Sequence, residues 1–458
     1  MLFNSLAFLI FFSFVYLIYW ALGHKWRRGF LIFASLVFYG YWSLVFLVHF
    51  VSIVILNYVF YYFFELQGRK KALTWIVVLN LVNLFAFKYY PFFQRILTDF
   101  GFKLNVLPGT GEWILPLAIS FYTFQMISFQ VDVHRGDFKN KVSFQDFLLF
   151  ILFFPQLIAG PILRAKDFLN RIHVPKTPRI LFSLTGCWWI VFGLIKKVLI
   201  ADQISPWIDS VYSSPGIYNA EAHWAAFYGF AVQIYCDFSG YTDIARGCAL
   251  LLGYKLPPNF LAPYFSGSFR EFWRRWHITL STWLRDYLYI PLGGNRFGDR
   301  RTYLNLFITM LLGGIWHGAN YTFIIWGAWH GILLGLERMI GARFPITKKL
   351  PKIVSILIVF HLVCFGWVFF RADSVTDAIS FFSGLANITG NKLKIPGSVQ
   401  WILLTFLVLH WFEYRRFNLK SEKWNWAFRY ALPLVGIAVG FWVAGSVSGE
   451  RSFIYFQF

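Results

Sequence analysis

The feature that most constrains this chain is the recurrence of long apolar runs separated by short basic connections. Leu6–Ala21, Trp75–Phe87, Ile353–Phe370 and Trp426–Ala444 are examples. A helix needs roughly 20 apolar residues to cross the hydrocarbon core, and several runs approach that length while others fall short. Only 14% of the residues are charged, against about a quarter in a soluble domain. Lipid offers the backbone no hydrogen-bond partners, so runs of this kind must close their own bonds as helices. The expected fold is an all-α polytopic membrane protein with ten to twelve transmembrane helices, supplemented by re-entrant and interfacial ones. The first run is read as a retained span, because it lacks a basic leader and a small-residue cleavage site.

The net charge of +21 would suggest a nucleic-acid partner in a soluble protein. Here the basic residues fall between the apolar runs, at 24–28, 68–71, 134–141, 295–301, 343–352 and 415–423. Cytoplasmic loops carry such an excess. The less basic segments 98–113 and 201–221 then lie outside, and the charge reports orientation and contact with anionic lipid headgroups. Nucleic acid is not expected as a partner. Four isolated cysteines, with no C-x-x-C pair, support neither a metal nor a redox site.

No long linker or fixed-period repeat appears, so residues 1–458 read as one membrane domain in three zones. Residues 1–113 are simple hydrophobic hairpins, 114–342 hold nearly all the unusual polar residues, and 343–458 return to plain helices. In the middle zone, "FFPQLIAGPILRAKDF" (153–168) sets Pro155, Gly160 and Pro161 inside an apolar run. Either the run is a Pro-kinked helix, or it is a re-entrant segment buried by protein around a cavity.

Three stretches place polar side chains where a reason is needed. In "QIYCDFSGYTDIARG" (233–247), Asp237, Ser239, Tyr241 and Asp243 sit among apolar residues, with Gly240 as an expected break. A carboxylate at the bilayer centre costs about 3 kcal/mol on insertion scales. It is expected either to pair with an arginine and lock helices together, or to line a wet cavity. In "SFREFWRRWHITLSTWLRDYLY" (268–289), Arg270, Arg274, His277 and Ser281 share one face if the stretch is a single helix. Trp273 and Trp276 flank that stripe, and Glu271 can pair with Arg275 at i,i+4. A basic, tryptophan-rich helix can lie at the headgroups with its arginines snorkelling. It can equally form a cationic groove for the phosphates of a coenzyme A or phosphopantetheine donor.

The third stretch, "LLGGIWHGANYTFIIWGAWHG" (311–331), carries His317 and His330. A lone histidine on an apolar face is often a satisfied core residue, but glycines around His317 permit close approach, and imidazole exchanges protons near neutral pH. On one continuous helix, His330 would lie on another face and roughly 20 Å away. With Gly327, Gly331 and Gly335 at i+4 steps, it reads as a packing residue. Nucleophile-elbow, Walker, Rossmann and H-E-x-x-H signatures are absent, which argues against a serine hydrolase or a nucleotide-driven pump.

"REFWRRWHITLSTWLRDYLYIPLGG" and "NLFITMLLGGIWHGANYTFIIWGAWHG", with "QIYCDFSGYTDIARGCALLLGY" and "FFPQLIAGPI", together resemble the membrane-bound O-acyltransferase superfamily. The resemblance is to the branch that O-acetylates alginate and other bacterial cell-surface polysaccharides. It implies a central tunnel in which an acyl group, most simply acetyl, passes from a cytoplasmic thioester to a sugar hydroxyl outside. By motif, the family's histidine falls on His317 and its second polar position on His277. His317 would act as general base, and His277 would hold the thioester or its oxyanion. Arg270 and Arg274 would attract the donor's phosphates, and Trp276, Trp316, Asn320, Asp237, Ser239 and Tyr241 would line the tunnel. No bound cofactor is implied. The co-substrate is acetyl-CoA or an acylated phosphopantetheine carrier protein, the acceptor is a polysaccharide, and a separate periplasmic acetyltransferase can complete the transfer. The setting is the bacterial inner membrane. D-alanyl transfer to teichoic acid and peptidoglycan O-acetylation are alternatives using the same machinery, and a transporter is the alternative of another class.

Overall fold

The computed structural model describes residues 1–65, 71–102, 115–137, 141–158, 160–178, 180–343, 350–391 and 397–418. The run Trp426–Ala444 lies outside them, as do parts of the connections at 68–71, 98–113, 134–141, 343–352 and 415–423. The described residues are helical, with a single isolated bridge between Tyr218 and Asn391. Among the described residues, five stretches are long and apolar enough to cross a membrane: Leu44–Phe63, Ala72–Asp99, Ser183–Ser213, Tyr321–Gly341 and Lys352–Arg371. The protein is an integral membrane protein of helices.

Two compact units are present. The first comprises Met1–Gly186 with Cys248–Pro257. Its helices are α1 (Leu6–Ala21), α2 (His24–Gly40), α3 (Leu44–Phe60), α4 (Lys71–Leu84), α5 (Tyr90–Asp99), α6 (Ile119–Arg135), α7 (Phe144–Leu152), α8 (Phe154–Leu157) and α9 (Ala165–Ile172). Serines start several of them. Ser5, Ser43 and Ser143 each accept a hydrogen bond from the backbone N–H three residues on, the N-cap bond that a helix start otherwise lacks. The proline-rich stretch at 153–168 is a broken chain rather than a kinked helix: α7 stops at Leu152, α8 is a single turn, and non-helical backbone follows. Protein buries this backbone. Phe150 loses a helical partner for its carbonyl, and the amides of Gln125 and Gln156 donate to it at 2.7 and 2.9 Å.

The second unit comprises Cys187–Gly247 with Pro258–Phe458. Its elements are α10 (Ile180–Leu194, whose first turns belong to the other unit), α11 (Asp202–Ser213), α12 (Ala220–Leu251), α13 (Phe269–Arg275), α14 (Ile278–Leu284), α15 (Gly298–His317), α16 (Tyr321–Arg343), α17 (Lys352–Arg371), α18 (Val375–Gly384) and α19 (Gly397–Asn418). A π-helical turn, Ile195–Ala201, joins α10 to α11. The core of this unit is aromatic: Trp276, Trp326, Trp367, Tyr235 and Phe272 are all buried in it.

Two close backbone crossings set its geometry, and both need glycine. A Cβ on Gly240 would lie 2.7 Å from the carbonyl oxygen of Gly193, and one on Gly193 would lie 2.4 Å from that of Gly240. Gly240 is therefore a crossing point, and α12 runs through it unbroken, contrary to the break expected there. Likewise, a Cβ on Gly314 would stand 2.3 Å from the Phe323 carbonyl, and one on Gly327 2.5 Å from that of Met310. These contacts press α15 and α16 together as an antiparallel hairpin. Gly331 abuts Phe307 in the same seam, whereas nothing lies within 4 Å of the Cβ position at Gly335.

Candidate active site

The α15–α16 turn revises the reading of the two histidines. His317 ends α15 and the chain reverses through Gly318–Asn320 before α16 begins. The run is not one continuous helix, so the separation that such a helix would impose does not apply. The His317 and His330 rings consequently pack on the same indole: Trp326 lies 5.0 Å from His317 and 4.9 Å from His330, centroid to centroid. His330 is fully buried among Trp273, Phe272 and Trp326, so it is a packing residue and also a neighbour of the His317 wall.

The 268–289 stretch also departs from expectation. It is not one helix, so the single polar stripe of Arg270, Arg274, His277 and Ser281 is not formed. The helix breaks at Trp276–His277, where His277 takes a left-handed backbone (φ +40°). That conformation costs a residue with a Cβ roughly 1–2 kcal/mol, and Asn259 offsets it. The Asn259 side-chain oxygen accepts from Thr279 N–H (3.2 Å) and Thr279 Oγ1 (2.9 Å) and meets His277 Nδ1 (3.2 Å). Its backbone carbonyl accepts from Ile278 N–H at 2.9 Å. The break separates the stripe: His277 is wholly buried, while Arg270 and Arg274 stay exposed at the surface of α13. The expected Glu271–Arg275 pair is present at 2.8 Å.

His277 and His317, forty residues apart in sequence, meet in the fold with ring centroids 6.5 Å apart. Phe238 of α12 stands edge-on to His277 at 4.7 Å. Around His317 stand Trp316 (5.0 Å), Trp326 and Phe370 (5.3 Å). Trp316 also reaches His277, at 6.3 Å, and Trp276 is buried beside Phe260, 5.0 Å away. The pair thus sits, buried, in an aromatic enclosure. Asn320 lies in the turn after His317, its amide bonded to the Asp373 carbonyl at 2.8 Å. Among the described residues no cluster could hold a metal ion.

The α12 carboxylates meet cations that sequence reasoning passes over. Asp237 pairs with Lys197 at 2.6 Å, and Lys197 also reaches Asp202 at 2.8 Å. Asp243 pairs with Lys196 and, at 3.2 Å, with Arg246. Lys196 continues to Glu413 of α19 at 3.1 Å. Apart from Asp243–Arg246, which lies within α12, these pairs join different helical segments, the ion-pair alternative for the carboxylates with lysine in place of arginine. Two consecutive lysines in the apolar run before Asp202 carry the same signal that marks Asp237: a charge with no reason to be there unless it is paired. Ser239 and Tyr241 are buried on the same helix.

The sequence model of the membrane-bound O-acyltransferase family matches residues 35–375. The chain is 40% identical over 437 residues, 91% of its length and 82% of the relative's, to the probable alginate O-acetylase AlgI of Pseudomonas aeruginosa. It is 34% identical to the peptidoglycan O-acetyltransferase of Helicobacter pylori, covering 76% of this chain and 72% of that protein. It is 29% identical to the teichoic acid D-alanyltransferase of Bacillus subtilis, over 64% and 76% respectively. The motif stretches that hold His277, His317 and the α12 carboxylates all fall inside the matched region, and the chain belongs to the membrane-bound O-acyltransferase family, as an O-acyltransferase.

Proposed function

We propose that this enzyme moves an acetyl group from a cytoplasmic thioester, through a tunnel in the bacterial inner membrane, to hydroxyls of a periplasmic or extracellular polysaccharide. The 6.5 Å approach of His277 and His317 inside an aromatic enclosure is the observation that carries this reading. Enzyme relatives named for alginate O-acetylation and peptidoglycan O-acetylation support polysaccharide acceptors. In this reading the chain crosses the membrane ten to twelve times, and the broken 153–168 segment is re-entrant.

His317 takes the proton from the acceptor hydroxyl as its oxygen attacks the thioester carbonyl. His277, whose Nδ1–H is committed to the Asn259 side-chain oxygen, positions the thioester beside His317. Collapse breaks the C–S bond, the thiolate leaves with the proton held by His317, and an ester remains on the sugar. Holding both reactants in one tunnel supplies the orientation that solution lacks. Arg270 and Arg274, exposed at α13, attract the phosphates of acetyl-CoA or of an acylated phosphopantetheine carrier. Trp276, Trp316 and Asn320 shape the tunnel, and Asp237, Ser239 and Tyr241 form its α12 wall, with Lys197 holding the Asp237 carboxylate. A separate periplasmic acetyltransferase can complete the transfer to the polymer.

Membranes carrying the enzyme, given radiolabelled acetyl-CoA or acetylated carrier with the polymer, test the reading. His317→Ala should lose ester formation by about 10²–10⁴-fold, the range of a lost general base, at unchanged protein level. Undiminished ester content in that variant would remove the catalytic assignment. The teichoic acid D-alanyltransferase relative motivates a second arm with a D-alanylated carrier; faster turnover there would change the acyl group assigned.

A further inference from the structure

Two charged or polar residues of α19, His410 and Glu413, lie beyond the matched family region, which ends at residue 375. Both are nonetheless tied to the segment that cradles His277. The segment Asn259–Phe265 is bonded directly to the broken helix: Leu261 N–H donates to the Arg275 carbonyl at 3.0 Å, and Ile278 N–H to that of Asn259 at 2.9 Å. Its far end, Tyr264, donates its backbone N–H to His410 Nε2 at 3.3 Å. An amide N–H can only donate, so Nε2 is the acceptor and the proton of a neutral ring lies on Nδ1. Glu413 faces that atom, with Oε2 3.2 Å from His410 Nδ1. The carboxylate therefore selects the tautomer, the arrangement by which a buried carboxylate orients a histidine. Glu413 is fixed in turn by Lys196 at 3.1 Å and by the Tyr235 hydroxyl. The rings close the same path, since Tyr264 and Tyr235 both pack on Trp276, at 6.0 and 6.2 Å, and Trp276 immediately precedes His277.

We propose that His410 and Glu413 are positioning residues for His277: they pin Asn259–Phe265, and through it the left-handed turn that presents the His277 ring to His317. The proposal rests on the reading of His277 and His317 given above. A turn held in an unfavourable backbone conformation persists only when its surroundings over-determine it, and the α19 anchor is one of those surroundings.

The test uses the full-length enzyme in native membranes, with acetyl transfer rates normalised to folded protein. His410→Leu removes the acceptor, whereas His410→Gln retains a side-chain oxygen that can accept from Tyr264 N–H. The expected result is a kcat reduced by about tenfold or more in His410→Leu, as small misplacements of catalytic groups produce, with donor KM changed by less than about twofold. His410→Gln should recover most of the rate. The paired change Lys196→Met with Glu413→Leu removes both charges together, which spares the fold an uncompensated ion, and should still lower kcat. A wild-type kcat per folded molecule in His410→Leu overturns the proposal, as does a loss that His410→Gln fails to restore. His317→Ala is measured in parallel. Activity retained there refutes the underlying site reading, while activity lost there but kept in His410→Leu refutes only the α19 proposal.

Discussion

At the scale of single residues, the site depends on groups whose burial is tolerated only because of specific partners. Lys197 is buried to within a few per cent and faces both Asp237 and Asp202. Removing one partner of a buried ion pair costs about 3–5 kcal/mol, because the remaining charge stays desolvated. Lys197→Met should accordingly deplete folded protein in membranes, as measured by detergent-solubilised thermal stability. Asp237→Asn should be milder, since Lys197 keeps Asp202. Equal losses in the two variants would contradict this account of the pairing. Asn259 makes a sharper case, because it holds the His277 turn through both its side chain and its backbone. Asn259→Ala should lower acyl transfer by about tenfold or more, a misplacement effect, with a smaller effect on protein level. These residues differ in legibility. The charges at Asp237 and Asp243 are conspicuous against an apolar run, whereas Asn259 lies in a proline-containing connection where an uncharged amide is ordinary and nothing marks its role.

At the scale of elements, the glycines decide how helices meet. In α15–α16 they permit backbone contact that any side chain would obstruct, and this contact turns a continuous apolar run into a hairpin. Gly327→Val should force the pair apart, at about 1–3 kcal/mol for overpacking, lowering the thermal midpoint. Gly335→Ala, with open space at its Cβ position, should leave the midpoint unchanged. The i+4 glycine pattern made helix packing legible in sequence, but it named three positions where the seam uses two of them. The missing information is where the chain turns. A turn at Gly318–Asn320 puts Gly327 opposite Met310, and a turn elsewhere would not. The same holds for α13 and α14: helical spacing joins Arg274 to His277 on one face, and only the Asn259 contacts reveal that the backbone breaks between them.

At the scale of the whole molecule, the distribution of basic residues predicts orientation. Phe297 is well exposed in the basic loop before α15 and should face the cytoplasm. A Phe297→Cys variant should react with an impermeant maleimide in inverted vesicles and not in right-side-out ones, since the native cysteines are buried or half-buried. Labelling from the outer face would reverse the topology. The sequence by itself determined that the chain is helical and membrane-embedded, because lipid forces apolar runs to satisfy their own backbone. Its motif stretches also carried the resemblance to the O-acyltransferase family and singled out His277 and His317. Tertiary structure alone decided that these two rings lie side by side, that the α12 carboxylates pair with lysines, and that α19 reaches the cradle of His277. The physical reason is common to all three. Periodicity and hydropathy record what each residue's own segment requires, whereas convergence depends on contacts between segments far apart in the chain, at crossings that a few glycines and buried charges make possible.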